Sequence, residues 1–154
     1  MKDWEEALRF RESVKPGTVV FTNGVFDVLH RGHVEYLADA RKLGDALILG
    51  LNSDQSARRL KGPGRPLVNQ EDRAIVLAAL EAVSAVVVFD EDTPRDLIAY
   101  LKPDLLVKGG DYQVNGIAGA TDIESWGGGV LIVPYRKGYC TTDFLRRVRE
   151  LPPD

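Results

Sequence analysis

Phe21-Thr22-Asn23-Gly24-Val25-Phe26-Asp27-Val28-Leu29-His30-Arg31-Gly32-His33 decides the fold of this 154-residue chain. The apolar run Val19–Phe21 reads as a strand, Asn23-Gly24 as a tight turn, and the segment from about Gly32 to Leu43 as a helix. A strand, a glycine turn and a helix in succession bring free backbone N–H groups to one point, where phosphate binds. Gly24 is expected there for its tolerance of positive φ and of close approach. The chain's two histidines, His30 and His33, stand at this helix entrance. Three residues apart, they share one helical face and present two imidazoles that switch charge near pH 7. Isolated histidines at a turn also read as ordinary surface or core side chains.

Working outward, strands and helices alternate. Gly44 is expected to close the first helix as a C′ glycine. Ala46–Leu51 is a continuous apolar run suited to a strand buried on both faces. Asp54–Leu60 reads as a short helix, and Lys61-Gly62-Pro63-Gly64-Arg65-Pro66 as a mobile loop. Asn69 caps a helix running to about Ala82, with Asp72 as its capping-box partner. Ala85–Phe89 is a strand. Thr93-Pro94 opens a helix with proline at the first position, ending before Pro103. Leu105–Val107 is a strand, 109–119 a glycine-rich loop, Val130–Val133 the last strand and Thr141–Glu150 the last long helix. An amphipathic helix near Asp3–Val14 precedes them all. The expected fold class is α/β: a Rossmann-like, doubly wound, parallel five-stranded sheet in a single domain spanning 18–150, with residues 1–17 as a helical extension.

Twenty Lys and Arg against 23 acidic residues give a formal charge of −3. That balance implies no nucleic-acid partner. A hydrophobic fraction of 44% suits a packed core. Cys140 is the single cysteine, so no intrachain disulfide forms. The charged amino terminus has no signal-peptide core, and no apolar run approaches the roughly 18 residues of a membrane span, so no membrane partner and a cytoplasmic location are expected.

Four clusters carry chemistry. The histidine segment is the first. The second joins Asn52 and Asp54, at the end of a strand, with basic Lys61, Arg65 and Arg73; taken singly these are also ordinary solvated polar groups. The third is Lys108-Gly109-Gly110-Asp111, either a tight turn or a place where freed backbone groups read a base edge. The fourth is Arg136-Lys137-Gly138-Tyr139-Cys140-Thr141-Thr142, where threonines at a helix start either cap the helix or bind phosphate.

Gly24, Phe26, Asp27, His30, Gly32 and His33 occupy every fixed position of G-x-F-D-x-x-H-x-G-H. The chain thereby resembles the nucleotidyltransferase superfamily of cytidylyltransferases, adenylyltransferases and related class I tRNA synthetases. The resemblance implies attack of a substrate phosphate on the α-phosphorus of a nucleoside triphosphate, with release of pyrophosphate. It implies His30 and His33 on the α- and β-phosphates, Asp27 fixing the loop or the phosphate-bound metal, and Lys61 closing over the transition state. Thr22, Asn23, Gly24, Phe26, Gly32, Lys108, Gly109, Asp111, Arg136, Thr141 and Thr142 would bind nucleotide. Asn52, Asp54, Arg65 and Arg73 would bind the second substrate, with Arg73 on its phosphate. Mg²⁺ is expected on the triphosphate, with no protein metal site. Cys140 stands where related enzymes carry a serine, which puts that hydroxyl contact in doubt.

From about Thr18 to Arg149, segments including Pro103–Tyr112 and Ile117-Ala118-Gly119 look like the adenylyltransferase half of the bacterial heptose-phosphate enzymes. That similarity implies transfer of AMP from ATP to D-glycero-β-D-manno-heptose 1-phosphate. It also implies a homodimer, in which Trp4, Leu8 and Phe10 serve either the interface or their own core. With only residues 1–17 ahead of the first strand, a separate sugar kinase is expected to supply the substrate. A CTP-dependent cytidylyltransferase acting on glycerol 3-phosphate and a non-catalytic nucleotide-binding module are the alternatives.

Overall fold

The computed structural model describes residues 1–110, 116–134 and 141–151, without the side chains of residues 142 and 143. Five parallel strands, β1 (Val19–Gly24), β2 (Ala46–Asn52), β3 (Ala85–Phe89), β4 (Leu105–Gly109) and β5 (Gly129–Val133), lie in the order β3-β2-β1-β4-β5. The chain winds outward from β1 to one edge and then to the other, so the switch point lies between β1 and β4. In such sheets, that is where ligands collect at the carboxyl ends of the strands.

Alternation along β1 sorts the core into two layers. Val19 and Phe21 pack with Ala7 of α1 (Trp4–Val14), Leu97, Ile98 and Leu101 of α5 (Arg95–Leu101), and Ile123 of α6 (Ala120–Ser125). Val20 packs on the opposite face with Tyr36, Leu37 and Ala40 of α2 (Arg31–Arg41) and with Ala74 and Leu77 of α4 (Gln70–Ala78). The short α3 (Asp54–Lys61) follows β2, and α7 (Thr141–Arg149) follows β5.

Residues 1–17 are welded to the sheet. Asp3 and Glu6 form a reciprocal capping box at the start of α1. The Lys2 N–H donates to the carbonyl of Val86, and Trp4 Nε1 to that of Val88. Buried Arg11 donates to the Lys102 carbonyl and to Asp104. Trp4, Leu8 and Phe10 pack against the core of their own domain.

Several boundaries differ from the sequence expectation. β1 and β4 run on to Gly24 and Gly109, because ladder pairing continues where the apolar letters stop. α3 reaches Lys61, so that residue sits on a helix end and not in the loop. α4 stops at Ala78 instead of Ala82: the chain turns after Ala79 and sends Leu80, Ala82 and Val83 into the core. Asn69 does cap α4, accepting from the Asp72 N–H, while its own amide donates to the Asp72 carboxylate. Pro94 is the N-cap of α5, one residue before the first helical position. Gly44 does not adopt a left-handed conformation; a Cβ there would stand 2.7 Å from the Thr18 carbonyl oxygen, so it is required for space.

Candidate active site

The histidine segment leaves β1 at the switch point and enters α2. His30 is the N-cap residue, in extended conformation, and its side chain makes no capping hydrogen bond. The two imidazoles lie stacked, with centroids 3.8 Å apart and planes 16° apart. The edge of Phe26 supports His33 at 5.2 Å between centroids. Burial is the main cause pushing both imidazoles below their ordinary value, and His33, next to His30, falls to about 4. Burial, with neighbouring His30 as the lesser cause, therefore keeps His33 neutral at pH 7, when an imidazole carries one N–H donor and one acceptor. His33 Nδ1 is buried without a hydrogen-bond partner among the described residues.

Phe26 and Val28 hold the connecting loop with φ of 47° and 56°. Side chains bearing a Cβ rarely occupy this left-handed region, at a cost on the order of 1–3 kcal/mol each. Gly24 is not the residue with positive φ; its lack of a Cβ makes room for the Phe26 ring, which would otherwise meet it at 2.9 Å. Asp27 clamps the loop from below. Its nearly buried carboxylate accepts from Arg65 at 2.7 Å and from the backbone N–H groups of Leu67 and Val68 at 3.0 and 3.1 Å. With those lone pairs engaged, Asp27 fixes the loop and offers little to a metal ion. The Thr141 hydroxyl donates to the Asp27 carbonyl at 3.1 Å, bringing the start of α7 to the same loop.

Other expected ligands have different work. Arg73 is 2% exposed and is not placed to meet a substrate phosphate. It donates to the carbonyls of Val68, Val25 and Asn52 and to the Asp54 carboxylate. Those bonds use four of the five N–H donors of a guanidinium. Asp54 is thereby paired, and the buried Asn52 amide donates to the Ser56 hydroxyl. Arg65 is committed to Asp27. The Thr22 hydroxyl lies fully buried 2.6 Å from the hydroxyl of Tyr36, which donates to the Val107 carbonyl. A Cβ on Gly109 would meet the Tyr36 ring at 2.9 Å, so this glycine, too, makes room for an aromatic side chain. Gly32 is buried in the first turn of α2.

Lys61 is exposed at the end of α3. Lys108 is half-buried on β4, and burial pushes its amine down to about 8. Asp111, Arg136 and Cys140 lie outside the described residues, as does the side chain of Thr142. Sequence reading missed Tyr36, although its position three residues after His33 on an apolar helix face was a usable signal. It also missed the backbone N–H groups of Leu67 and Val68, which no letter announces.

A cavity of about 190 Å³ adjoins the loop, lined by Phe26, Val28, Leu29, Val68, Val76 and Leu77 beside Arg73. Its apolar walls do not suit a triphosphate; the histidine entrance does. Among the described residues no group of three His, Cys, Asp or Glu side chains converges to hold a metal ion, and no helix is long and apolar enough to cross a membrane.

Known proteins bear the same pattern. The bifunctional protein HldE of Syntrophotalea carbinolica is 51% identical over 155 residues, covering 95% of this chain and 32% of that protein. HldE of Cronobacter sakazakii is 57% identical over 132 residues, covering 86% of this chain and 28% of its own. The chain thus spans about a third or less of the length of these curated relatives. The crystal structure of the lipopolysaccharide core biosynthesis protein from Thermoplasma volcanium superimposes with a TM-score of 0.65 at 27% identity, covering 80% of this chain and 99% of that one. Pantoate-beta-alanine ligase from Francisella tularensis, at 15% identity and a TM-score of 0.64, covers 97% of this chain and 76% of its own and shares the fold. Residues 21–138, from the middle of β1 to just ahead of α7, match the cytidylyltransferase-like family, and the chain belongs to that family of nucleotidyltransferases.

Proposed function

We propose that the chain transfers AMP from ATP to D-glycero-β-D-manno-heptose 1-phosphate, forming ADP-heptose and pyrophosphate. The carrying observation is the stacked His30–His33 pair at the N-terminal mouth of α2, in a chain 51 to 57% identical to proteins named HldE. A phosphate oxygen of the sugar 1-phosphate attacks the α-phosphorus. The new O–P bond forms as the bond between the α-phosphorus and the α,β-bridging oxygen breaks, and pyrophosphate leaves with the electron pair.

No protein nucleophile is needed. The protein contributes position and preformed donors aimed at oxygens that gain charge. The two imidazoles would donate to the α- and β-phosphates, aided by the positive end of α2. Lys61, exposed at the end of α3, would fold onto the triphosphate, and Thr141 flanks the same entrance. Phe26, Asp27 and Arg65 hold the histidine loop and so position the donors. Nucleotidyltransferases of this kind generally use Mg²⁺. With the Asp27 oxygens engaged, the ion would arrive on the triphosphate and neutralise part of its charge.

The acceptor presupposes a kinase acting earlier on the free sugar. A homodimer is part of the proposal. Leu67, Ile75 and Val76, all exposed around the start of α4, supply apolar surface for it, and sedimentation velocity tests the assembly.

Pyrophosphate release decides the reaction. The protein is incubated with Mg²⁺ and heptose 1-phosphate, using ATP and CTP in parallel, and with glycerol 3-phosphate in a second series. Release with ATP and heptose 1-phosphate is expected. Turnover only with CTP and glycerol 3-phosphate would move the assignment to an alcohol-phosphate cytidylyltransferase. Nucleotide binding without release from any acceptor would leave a binding module.

A further inference from the structure

Among the described residues, the buried or half-buried arginines have hydrogen-bond or ion-pair partners. Arg11 is held by Asp104 and the Lys102 carbonyl, Arg65 by Asp27, and Arg73 by Asp54 and three carbonyls. Lys108 is half-buried, yet makes no hydrogen bond or ion pair among the described residues. Burial drives its amine down to about 8, and no carboxylate among the described residues restores it. Withdrawing an ammonium from water without a counter-charge is unfavourable, so such a group is poised for an anion that arrives from outside.

A second group without a partner stands on the neighbouring strand. β1 and β4 pair Val20 with Leu105 and Phe21 with Leu106. Two residues beyond the latter pair come Asn23 and Lys108. Side chains alternate along a strand, so Asn23 shares the face of Phe21, and Lys108 that of Leu106. Both Phe21 and Leu106 belong to the core layer covered by α1, α5 and α6. Close packing agrees: a Cβ on Gly50, opposite Asn23 in β2, would meet the Phe21 ring at 2.7 Å and the Asn23 Cβ at 3.3 Å. Asn23 Oδ1 is buried without a hydrogen-bond partner among the described residues.

We infer that Lys108 binds the phosphate of the acceptor and that Asn23 takes a hydroxyl of the same molecule. The acceptor class is therefore a phosphomonoester carrying a hydroxyl within reach of its phosphate. This deepens the adenylyl-transfer reading and rests on it for the direction of approach. In-line displacement puts the incoming oxygen and the leaving pyrophosphate on opposite sides of the α-phosphorus. The histidines rise from α2, on the other face of the sheet, and occupy the leaving side. Lys108 and Asn23 face the layer opposite. Arg73, the alternative cation for this task, has four of its five donors engaged.

Calorimetry tests the assignment without requiring turnover. Heptose 1-phosphate, and separately glycerol 3-phosphate, are titrated into the protein saturated with a non-hydrolysable ATP analogue and Mg²⁺. The analogue is also titrated alone. Lys108→Met is expected to weaken acceptor binding by about 10- to 100-fold, the value of a hydrogen bond to a charged group. Analogue affinity should stay within about twofold, which also shows that the variant is folded, and Lys108→Arg should recover most of the loss. Equal acceptor affinity in Lys108→Met, an equal loss of analogue affinity, or a wild type that binds neither phosphomonoester would overturn the inference. Loss of acceptor binding together with a wild type that forms no pyrophosphate would sink adenylyl transfer while leaving Lys108 assigned.

Discussion

Asp27 and Arg65 stand 38 residues apart in sequence and 2.7 Å apart in space, their side chains only 7% and 20% exposed. The pair joins the histidine loop to the segment ahead of α4, and two backbone N–H groups complete it. Burial, the largest single influence on the Asp27 carboxyl, raises its pKa. The Leu67 N–H, Arg65 and the Val68 N–H together outweigh it, leaving the group below its ordinary 3.8. A depressed carboxyl stabilises the fold fully above its unfolded pKa and loses that contribution as pH falls through the lower folded value. Asp27→Asn should cost about 2–4 kcal/mol at pH 7, because Arg65 is left without its counter-charge. It should also remove this part of the acid sensitivity below pH 3.8. Urea unfolding of both proteins at pH 7 and pH 3 checks the two statements.

Arg73 is a structural knot, and a sharp contrast with Lys108 follows. Arg73→Met strands three carbonyls and the Asp54 carboxylate, so a loss of about 3 kcal/mol or more is expected. Lysine cannot reproduce the fork, and Arg73→Lys should recover little of it. In the fraction that remains folded, acceptor KM should move far less than in Lys108→Met. A stable Arg73→Met protein with a greatly raised acceptor KM would return Arg73 to the substrate site.

These two arginines show why much of the fold, and less of the site, was legible in the sequence. Ala46–Leu51 and Ala85–Phe89 announce buried strands because every side chain there is apolar, and the strand–helix alternation then fixes a parallel sheet. The His30-x-x-His33 spacing likewise announces a shared helical face. Arg73, by contrast, reads as one more charge on an amphipathic helix. Its burial depends on carbonyls of Val25, Asn52 and Val68, which only tertiary folding assembles. Leu80, Ala82 and Val83 continue the apolar pattern of α4, yet they enter the core from a turn. Gly24 and Gly109 look like loop glycines, but each makes room for an aromatic ring: Phe26, two residues on, for Gly24, and Tyr36, from α2, for Gly109.

His33 carries a pH signature as well as its proposed catalytic role. Its folded pKa of about 4 lies below the ordinary 6.5, with burial the larger cause and His30 the second. The folded state thus favours the neutral ring. That contribution is intact above pH 6.5 and declines as pH falls towards 4, where the folded ring also protonates. After allowance for solvent near the ring, the loss across this window should be about 1–2 kcal/mol. Removal of the imidazole as His33→Asn should flatten the stability profile between pH 6.5 and 4, as measured by chemical unfolding. Turnover at pH 7.5 should fall by about 10²–10³-fold, as on loss of a preformed donor, and similarly for His30→Ala. Near-normal turnover in either variant would remove the histidine pair from the mechanism.

Tyr36 and Gly109 offer the cleanest test of how the site edge is built. The Tyr36 ring fills the space a Gly109 side chain would need, while its hydroxyl spans Thr22 on β1 and the Val107 carbonyl on β4. Tyr36 therefore ties the two strands at the switch point, immediately before Asn23 and Lys108. Gly109→Ala places a methyl 2.9 Å from Tyr36 Cε2, a contact that forces the ring aside. The expected cost is about 1–3 kcal/mol, typical of overpacking, together with weakening of the hydroxyl bridge. In a Tyr36→Leu background both the clash and the bridge are already gone. There the same glycine substitution should cost at least about 1 kcal/mol less, and that difference is the coupling energy between the positions. Equal penalties in both backgrounds would mean that Gly109 serves its own backbone conformation, and that the strands at the switch point are held together by something other than Tyr36.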